Sequence, residues 1–427
     1  YNIVESVWLT MKMLEIKGGN PLTGTIRISG AKNSVVALIP AAILSSEEVT
    51  ICNVPDITDT AALCEILEFL NVDVKRATES LVINPSNMEN KEIPSMYTKK
   101  LRASYYFMGA MLGKYKKVTM ALPGGCSIGA RPINLHLKGF EALGATVTNK
   151  ENIYTVEAKE LKGANIYLDF ASVGATINIM LASVLAKGTT IIDNAAKEPE
   201  IVNVATLLNN MGAKIRGAGT SSIEITGVEK LGKCFHEVIP DRIEAGTYVI
   251  LGAAIGNNLK ISNIIPEHIE ALTSKLEEMG VFLDIGTDYI IVSSGKDYKP
   301  VNVKTQTYPG FATDLQQPLT PLLTMCNGRS KIEETIYENR FMHIPYLNQM
   351  GADIRVKNQT STIIGPTKLT GTDVVATDLR AGASLVIAGL MAKGTTKITN
   401  VEHILRGYEN IVEKLLGVGA NLELKDI

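Results

Sequence analysis

Six segments of the chain are apolar on nearly every side of a helix: "AKNSVVALIPAAIL", "RASYYFMGAML", "GATINIMLASVL", "EAGTYVILGAAI", "LQQPLTPLLTM" and "RAGASLVIAGLM". Such a pattern predicts helices buried inside a core rather than laid on its surface. Loops and short strands such as "SEEVTICNV", "GTTIIDNA", "GNNLKISN", "GRSKIEET" and "GTTKITNV" follow these segments. Next comes an amphipathic helix, for example "EIVNVATLLNNMGA", whose single apolar stripe suits an outer covering. A short turn then opens a hairpin of alternating residues.

The turns keep a period. They read "LGATV", "MGAKI", "MGVFL", "MGADI" and "VGANL", with a weaker copy, "LNVDV". Gly144, Gly212, Gly280, Gly351 and Gly419 are spaced 68, 68, 71 and 68 apart, and Asn71 lies 73 before Gly144. Self-similarity at a fixed period marks an architecture of repeats. Each unit reads strand–helix–strand–helix–hairpin, so the expected fold is α/β with six copies of that unit.

The sixth copy stops at Ile427 after one hairpin strand, "ANLELKDI". Its missing partner matches the N-terminal "LEIKGGNPLTG", which parallels "TIIGPTKLTG" and "IEITGVEKLG". The N-terminal strand is therefore expected to complete repeat six. Two domains follow: residues 32–239 with repeats one to three, and residues 11–31 plus 240–427 with repeats four to six. The chain crosses between them near residues 31 and 240, which suits a hinge, and a cleft between hinged domains is a common ligand site. Residues 1–10, "YNIVESVWLT", lack a basic start and a small-residue cleavage site, so they read as an extension or expression remnant, not a signal peptide.

Composition narrows the function classes. Apolar residues make up 45% of the 427 and charged residues 20%, as in soluble globular proteins. A formal net charge of −2 carries no basic field, which argues against nucleic acid or an anionic membrane as partner. The longest apolar run, Val35 to Leu44, falls short of the roughly 20 residues that span a bilayer. Five cysteines without paired spacing argue for free thiols in a reducing compartment, so a cytoplasmic location is expected. Neither a P-loop, a strand-linked G-x-G-x-x-G, an H-E-x-x-H nor a C-x-x-C is present, so neither a metal nor a cofactor is expected. No obligate protein partner is evident.

One copy breaks the period. From strand-opening glycine to turn glycine takes 23 to 25 residues in repeats three to six but 31, Gly113 to Gly144, in repeat two. The excess falls on "LPGGCSIGARP", residues 122–132. A loop added to one copy of a regular scaffold is where function tends to sit, although a neutral surface insertion would look the same. Gly124, Gly125 and Gly129 permit large motion, and Arg131 should favour the thiolate of Cys126. Cys52 in a strand, Cys64 in an amphipathic helix and Cys326 at an apolar helix end read as inert small hydrophobes; Cys234 stays open.

Polar residues also stand where core is expected, at the starts of the apolar helices: Lys32 with Asn33, Arg102, Ser172, Asp241 with Arg242 and Glu244, Asp314, and Asp378 with Arg380. Helix N-termini attract anions, and Ser172 and Asp378 are explained as caps. Cations there are unfavourable, so Lys32, Arg102 and Arg380 need an anionic partner, either a carboxylate or a ligand. With Arg131 and Arg406 they suit a polyanion carrying phosphate and carboxylate. The histidines, His136, His343 and His403 among them, read as structural.

The segments "SGAKNS", "LPGGCSIGARPINLH", "SVGAT", "AAKEPEIV", "PDRIEAGT", "TDLQ", "ENRFMH", "ATDLRAGASL" and "RGYENI" resemble, in uninterrupted order from about Met11 to Ile427, those of the UDP-N-acetylglucosamine enolpyruvyltransferase family. The resemblance implies two inverted α/β barrel domains of three repeats each, with the active site in the interdomain cleft. It implies transfer of the enolpyruvyl unit of phosphoenolpyruvate to the 3-hydroxyl of UDP-N-acetylglucosamine with release of phosphate, the first committed step of peptidoglycan synthesis. With that come roles in cell shape and division, and a thiol open to fosfomycin. Carried over by position, Lys32, Asn33, Arg131 and Arg406 bind phosphoenolpyruvate. Cys126 is the general acid toward the methylene carbon and can form an adduct, and Asp314 deprotonates or orients the sugar hydroxyl. Arg102, Arg131, Pro132, Ile133, Asn134, Leu135, Ser172, Val173, Gly174, Asp314 and Ile336 contact the nucleotide sugar, and Asp378 and Arg380 support the site. Asn134 and Tyr337 stand where some members carry Asp and Phe. The related transfer to shikimate 3-phosphate is opposed by Cys126 and "AAKEPEIV". A non-catalytic nucleotide-sugar clamp is opposed by the intact set Cys126, Arg131, Asp314 and Arg406.

Overall fold

A computed structural model describes residues 12–122 and 132–427. The six apolar segments form helices: Lys32–Ala42, Tyr106–Tyr115, Val173–Ser183, Arg242–Ile255, Thr313–Leu323 and Leu379–Met391. Past its first turn each is buried, for example Ser34 to Ala42 in the first and Arg380 to Leu390 in the sixth. These segments carry almost no charge beyond the first turn, so nothing holds a face in water. In repeats one to three the second buried helix packs on both the first and the third; in repeats five and six the two buried helices pack on each other. One start differs from the sequence pattern. Arg102 opens a 3-10 turn, Arg102–Tyr105, and the α-helix begins only at Tyr106.

Each repeat builds its own sheet, and no strand is shared between sheets among the described residues. Repeat three shows the plan. A leading strand, Asn165–Tyr167, lies parallel to a central strand, Thr189–Asp193, which pairs antiparallel with the hairpin Ser222–Thr226 and Lys214–Arg216. In repeat two the leading strand shrinks to a single bridge, Ile93 to Met120. The expected α/β architecture of repeats is present, its walls made of separate small sheets.

The turn glycines explain the period. Gly144, Gly212, Gly280, Gly351 and Gly419 have φ of 96°, 106°, 93°, 107° and 95°, and Asn71 in the weaker copy has 63°. A left-handed residue ends each outer helix, and only glycine or asparagine takes that conformation at little cost.

Two compact units result. One spans Ile28–Glu244 with Gln306–Gly310; the other joins the chain up to Arg27 with Ala245–Thr305 and Phe311–Ile427. Residues 306–310, expected with repeats four to six, thus belong with repeats one to three: the Tyr308 amide donates to Glu198 at 3.5 Å and its ring faces Arg242 at 5.4 Å. In the second unit the strand Lys12–Lys17 lies between Thr395–Thr399 and Asn421–Asp426, antiparallel to both, and so closes the sheet of repeat six. The crossings exchange strands. Leu22–Arg27 precedes the first buried helix yet pairs with Gly256–Ser262 of repeat four, and Cys234–Glu237 precedes the fourth yet pairs with Val49–Cys52 of repeat one.

Candidate active site

The fifth buried helix leaves extended backbone at Ala312 and carries Asp314 in its first turn, where an acid meets the positive end of the helix. Arg340 Nη2 lies 2.6 Å from Asp314 Oδ1, and Arg380 Nη2 lies 3.4 Å from Oδ2. The guanidinium side chains are 3% and 4% exposed, the carboxylate 26%. Both arginines are themselves fixed. Arg340 donates through Nε to Gln317 Oε1 at 3.2 Å and lies 5.2 Å from the Tyr337 ring centre. Arg380 lies 5.2 Å from the ring of Tyr408, whose hydroxyl bonds Thr247 Oγ1 at 3.0 Å. Asp378 caps the sixth helix, accepting from the amides of Arg380 and Ala381 at 2.9 and 3.0 Å, and receives Gln317 Nε2 at 3.4 Å. Asp314, Asp378 and Arg380 are therefore one network, which orients a carboxylate while leaving part of it to solvent. Ile336 is half-buried in the loop after the strand Gly328–Glu333. Arg406 is the half-buried C-cap residue of the short helix Glu402–Leu405, where a cation suits the helix end.

In the other unit, Lys32 Nζ meets Asp59 Oδ2 at 3.0 Å, with the side chains 13% and 3% exposed, and Asn33 is half-buried beside it. One aspartate serves two helix starts: Asp241 Oδ2 accepts the Lys32 amide at 2.9 Å, while Oδ1 accepts the amides of Ile243 and Glu244 at 2.8 and 2.9 Å. The anionic partner required by a cation at a helix start is thus a carboxylate for Lys32 and for Arg380. Arg242 likewise pairs with Glu200 at 2.9 Å.

The remaining predicted residues of this unit gather at the third buried helix. Ser172 caps it, accepting the Ala175 amide at 3.2 Å. Gly174 packs so tightly that a Cβ would lie 2.8 Å from the Tyr105 hydroxyl and 3.0 Å from His136 Cε1. Asn178 ties the group together, donating to the Tyr105 carbonyl at 3.0 Å and bonding His136 Nδ1 at 2.9 Å. The start of the third helix, the Arg102–Tyr105 turn and the helix Asn134–Ala142 are thereby joined, with Val173 at the first of these and Asn134 and Leu135 on the last. Pro132 and Ile133 lead into that last helix. Burial, and secondarily the Arg102 charge, holds His136 neutral, pushed down to about 3.

Cys126 and Arg131 lie outside the described residues. Burial raises the other four thiols, Cys64, Cys234 and Cys326 to about 11 and Cys52 less far. A thiol so raised is a poor nucleophile at neutral pH; that includes Cys234, left open above. Arg340, Gln317, Asp59 and Tyr408 were given no role from the sequence. Asp59 sits in "TDT" at the start of an outer helix, where an acid reads as an exposed first-turn residue, and only the fold brings Lys32 to it. Among the described residues no cluster of potential ligands suits a metal ion.

A family model described as EPSP synthase (3-phosphoshikimate 1-carboxyvinyltransferase) matches residues 16–415. The chain is 57% identical over 412 residues to UDP-N-acetylglucosamine 1-carboxyvinyltransferase 2 of Geobacillus kaustophilus, covering 96% of each chain. It is 56% identical over 409 residues to the protein of that name from Listeria monocytogenes, covering 96% of this chain and 97% of the relative. Among solved structures, the enolpyruvyl transferase NikO from Streptomyces tendae superposes with a TM-score of 0.89 at 28% identity, over 98% of this chain and 100% of that one. EPSP synthase from Acinetobacter baumannii gives 0.73 at 17% identity over 97% and 100%, a likeness of fold alone.

Proposed function

We propose, starting from the fact that the chain belongs to the EPSP synthase (3-phosphoshikimate 1-carboxyvinyltransferase) family, that it is a UDP-N-acetylglucosamine 1-carboxyvinyltransferase. It moves the enolpyruvyl group of phosphoenolpyruvate to the sugar 3-hydroxyl, a committed step of peptidoglycan building that belongs in the cytoplasm. The observation that carries this reading is Asp314, a carboxylate gripped by Arg340 and Arg380 yet still 26% exposed. No helix among the described residues is long and apolar enough to cross a membrane.

In the addition step the sugar oxygen bonds to C2 of phosphoenolpyruvate as a proton joins the methylene carbon. In the elimination step that carbon loses a proton and the C2–O bond to phosphate breaks. A base at the hydroxyl and an acid at the methylene are required, and cations must meet the departing phosphate. Asp314 takes the hydroxyl proton and Cys126 delivers the proton to carbon. Lys32, Asn33, Arg131 and Arg406 hold phosphoenolpyruvate. Arg102, Pro132, Ile133, Asn134, Leu135, Ser172, Val173, Gly174 and Ile336 hold the nucleotide sugar, with Asp378 and Arg380 supporting. Nothing in the chemistry calls for a cofactor. Because Cys126 is a thiol with Arg131 five residues on in the sequence, the epoxide fosfomycin should alkylate it and stop turnover.

The test is phosphate release from phosphoenolpyruvate with either UDP-N-acetylglucosamine or shikimate 3-phosphate as acceptor. Release with the nucleotide sugar alone, lost by on the order of a hundredfold or more in Asp314→Asn, is expected. Release with the shikimate acceptor would transfer the function to the related enzyme.

A further inference from the structure

Repeats one, three, four and six end their central strand on an asparagine in the left-handed conformation: Asn53, Asn194, Asn263 and Asn400, with φ of 57°, 55°, 58° and 56°. In repeats one and three its amide donates to a carbonyl just past the leading strand, Asn53 to Val238 at 2.9 Å and Asn194 to Leu168 at 2.7 Å. Two repeats depart from this: repeat two, where Leu122 follows the central strand, and repeat five. In repeat five the position is Glu334, in "KIEET", without positive φ.

Glu334 is 1% exposed. Its Oε1 accepts Thr305 Oγ1 at 3.0 Å, the Ile336 amide at 2.8 Å and the Tyr337 amide at 3.2 Å. Its Oε2 accepts Thr313 Oγ1 at 2.8 Å. Thr305 is the residue just past the leading strand Asn302–Lys304, so the contact made by asparagine elsewhere is kept with its polarity reversed. The reversal gives the site an acceptor that gathers three segments: the end of the leading strand, the start of the fifth buried helix, and the loop 335–337. A buried carboxylate held by four neutral donors fixes those donors more firmly than an amide could. Two of the segments carry site residues, since Thr313 precedes Asp314 and the Ile336 amide is itself a donor.

We infer that Glu334 is the positioning residue that sets Asp314 and the Ile336 loop in register for the nucleotide sugar. The inference rests on the roles proposed for Asp314 and Ile336. Glu334 touches no substrate; it acts through Thr313 and two backbone amides. Its replacement of the repeat's asparagine exchanges a purely structural bond for one that aligns the acceptor side of the reaction.

The experiment compares Glu334→Gln, Thr313→Val, Thr313→Ser and Asp314→Asn in the full chain, with kcat and the KM of each substrate measured beside the melting temperature. Glu334→Gln should lower kcat/KM for the nucleotide sugar by on the order of ten- to a hundredfold, with the KM of phosphoenolpyruvate little changed. Thr313→Val should fall in the same direction with a near-native melting temperature, and Thr313→Ser, which keeps the hydroxyl, should recover native kinetics. Wild-type kinetics in both Glu334→Gln and Thr313→Val, beside an inactive Asp314→Asn, would overturn the positioning role alone. The same holds if Thr313→Ser and Thr313→Val lose activity equally and in step with melting temperature. An active Asp314→Asn would remove the assignment of Asp314 and this inference with it.

Discussion

Asp314 depends on two arginines that approach from different parts of the chain, and only one of them was legible. Arg380 stands out as a cation at a buried helix start; Arg340 lies in a loop where any polar residue is ordinary. Arg340→Lys keeps the charge but cannot reach Asp314 and Gln317 together through one planar group. It should reduce kcat by on the order of tenfold. Arg340→Ala should in addition cost about 2–3 kcal/mol in urea denaturation, because a buried partner of an ion pair is removed. Three histidines give a pH prediction. Burial is the leading cause that pushes His136 and His343 down to about 3 and His236 to about 4 from an ordinary value near 6.5. The unfolded chain then binds protons that the native one refuses, so stability should be full above pH 6.5 and decline as pH falls toward 4. Each histidine adds up to about 1.4 kcal/mol per pH unit to that slope. Urea midpoints measured between pH 7.5 and 4.5 check the sign.

The repeated element explains why so few residue types recur at fixed places. Gly212 shows the cause in isolation: φ is 106° and a Cβ would meet nothing within 4 Å, so only backbone strain opposes a side chain. Gly212→Ala should therefore cost about 1–2 kcal/mol, seen as a lower melting temperature with activity unchanged. Gly174 is the opposite case, limited by space. Gly174→Ala presses on the Tyr105 hydroxyl and His136, and should weaken nucleotide-sugar binding more than it lowers stability; calorimetric titration of the variant decides. Periodicity revealed the first kind of glycine because it recurs in five of the six units, with Asn71 in the remaining one. The second kind belongs to one contact, so no periodicity marks it, and only the family motif "SVGAT" pointed to it.

On the scale of the whole chain, the broken hairpin of repeat six predicts what the ends can tolerate. Lys12 and Asp426 are register partners, and Ile16 is 0% exposed. Ile16→Asp buries a charge in the closing strand and should abolish folding of the unit that contains it, as read by proteolysis. A permuted chain joining Asp426 to Lys12 through a turn of about two to four residues, with new ends in the exposed Thr220–Ser221 turn, should fold and release phosphate.

The sequence by itself determined the six repeats, their buried helices and turn glycines, and the closing of the last repeat by the N-terminal strand. These follow from local periodicity and from conformations that few residue types adopt. Family resemblance added the candidate residues. Only the tertiary structure decided which charges meet, Lys32 with Asp59 and Arg340 with Asp314, that one aspartate spans two helix starts, and which neutral donors gather on Glu334. Those pairings join residues of different elements, and a buried charge is defined by the partner that the fold delivers to it.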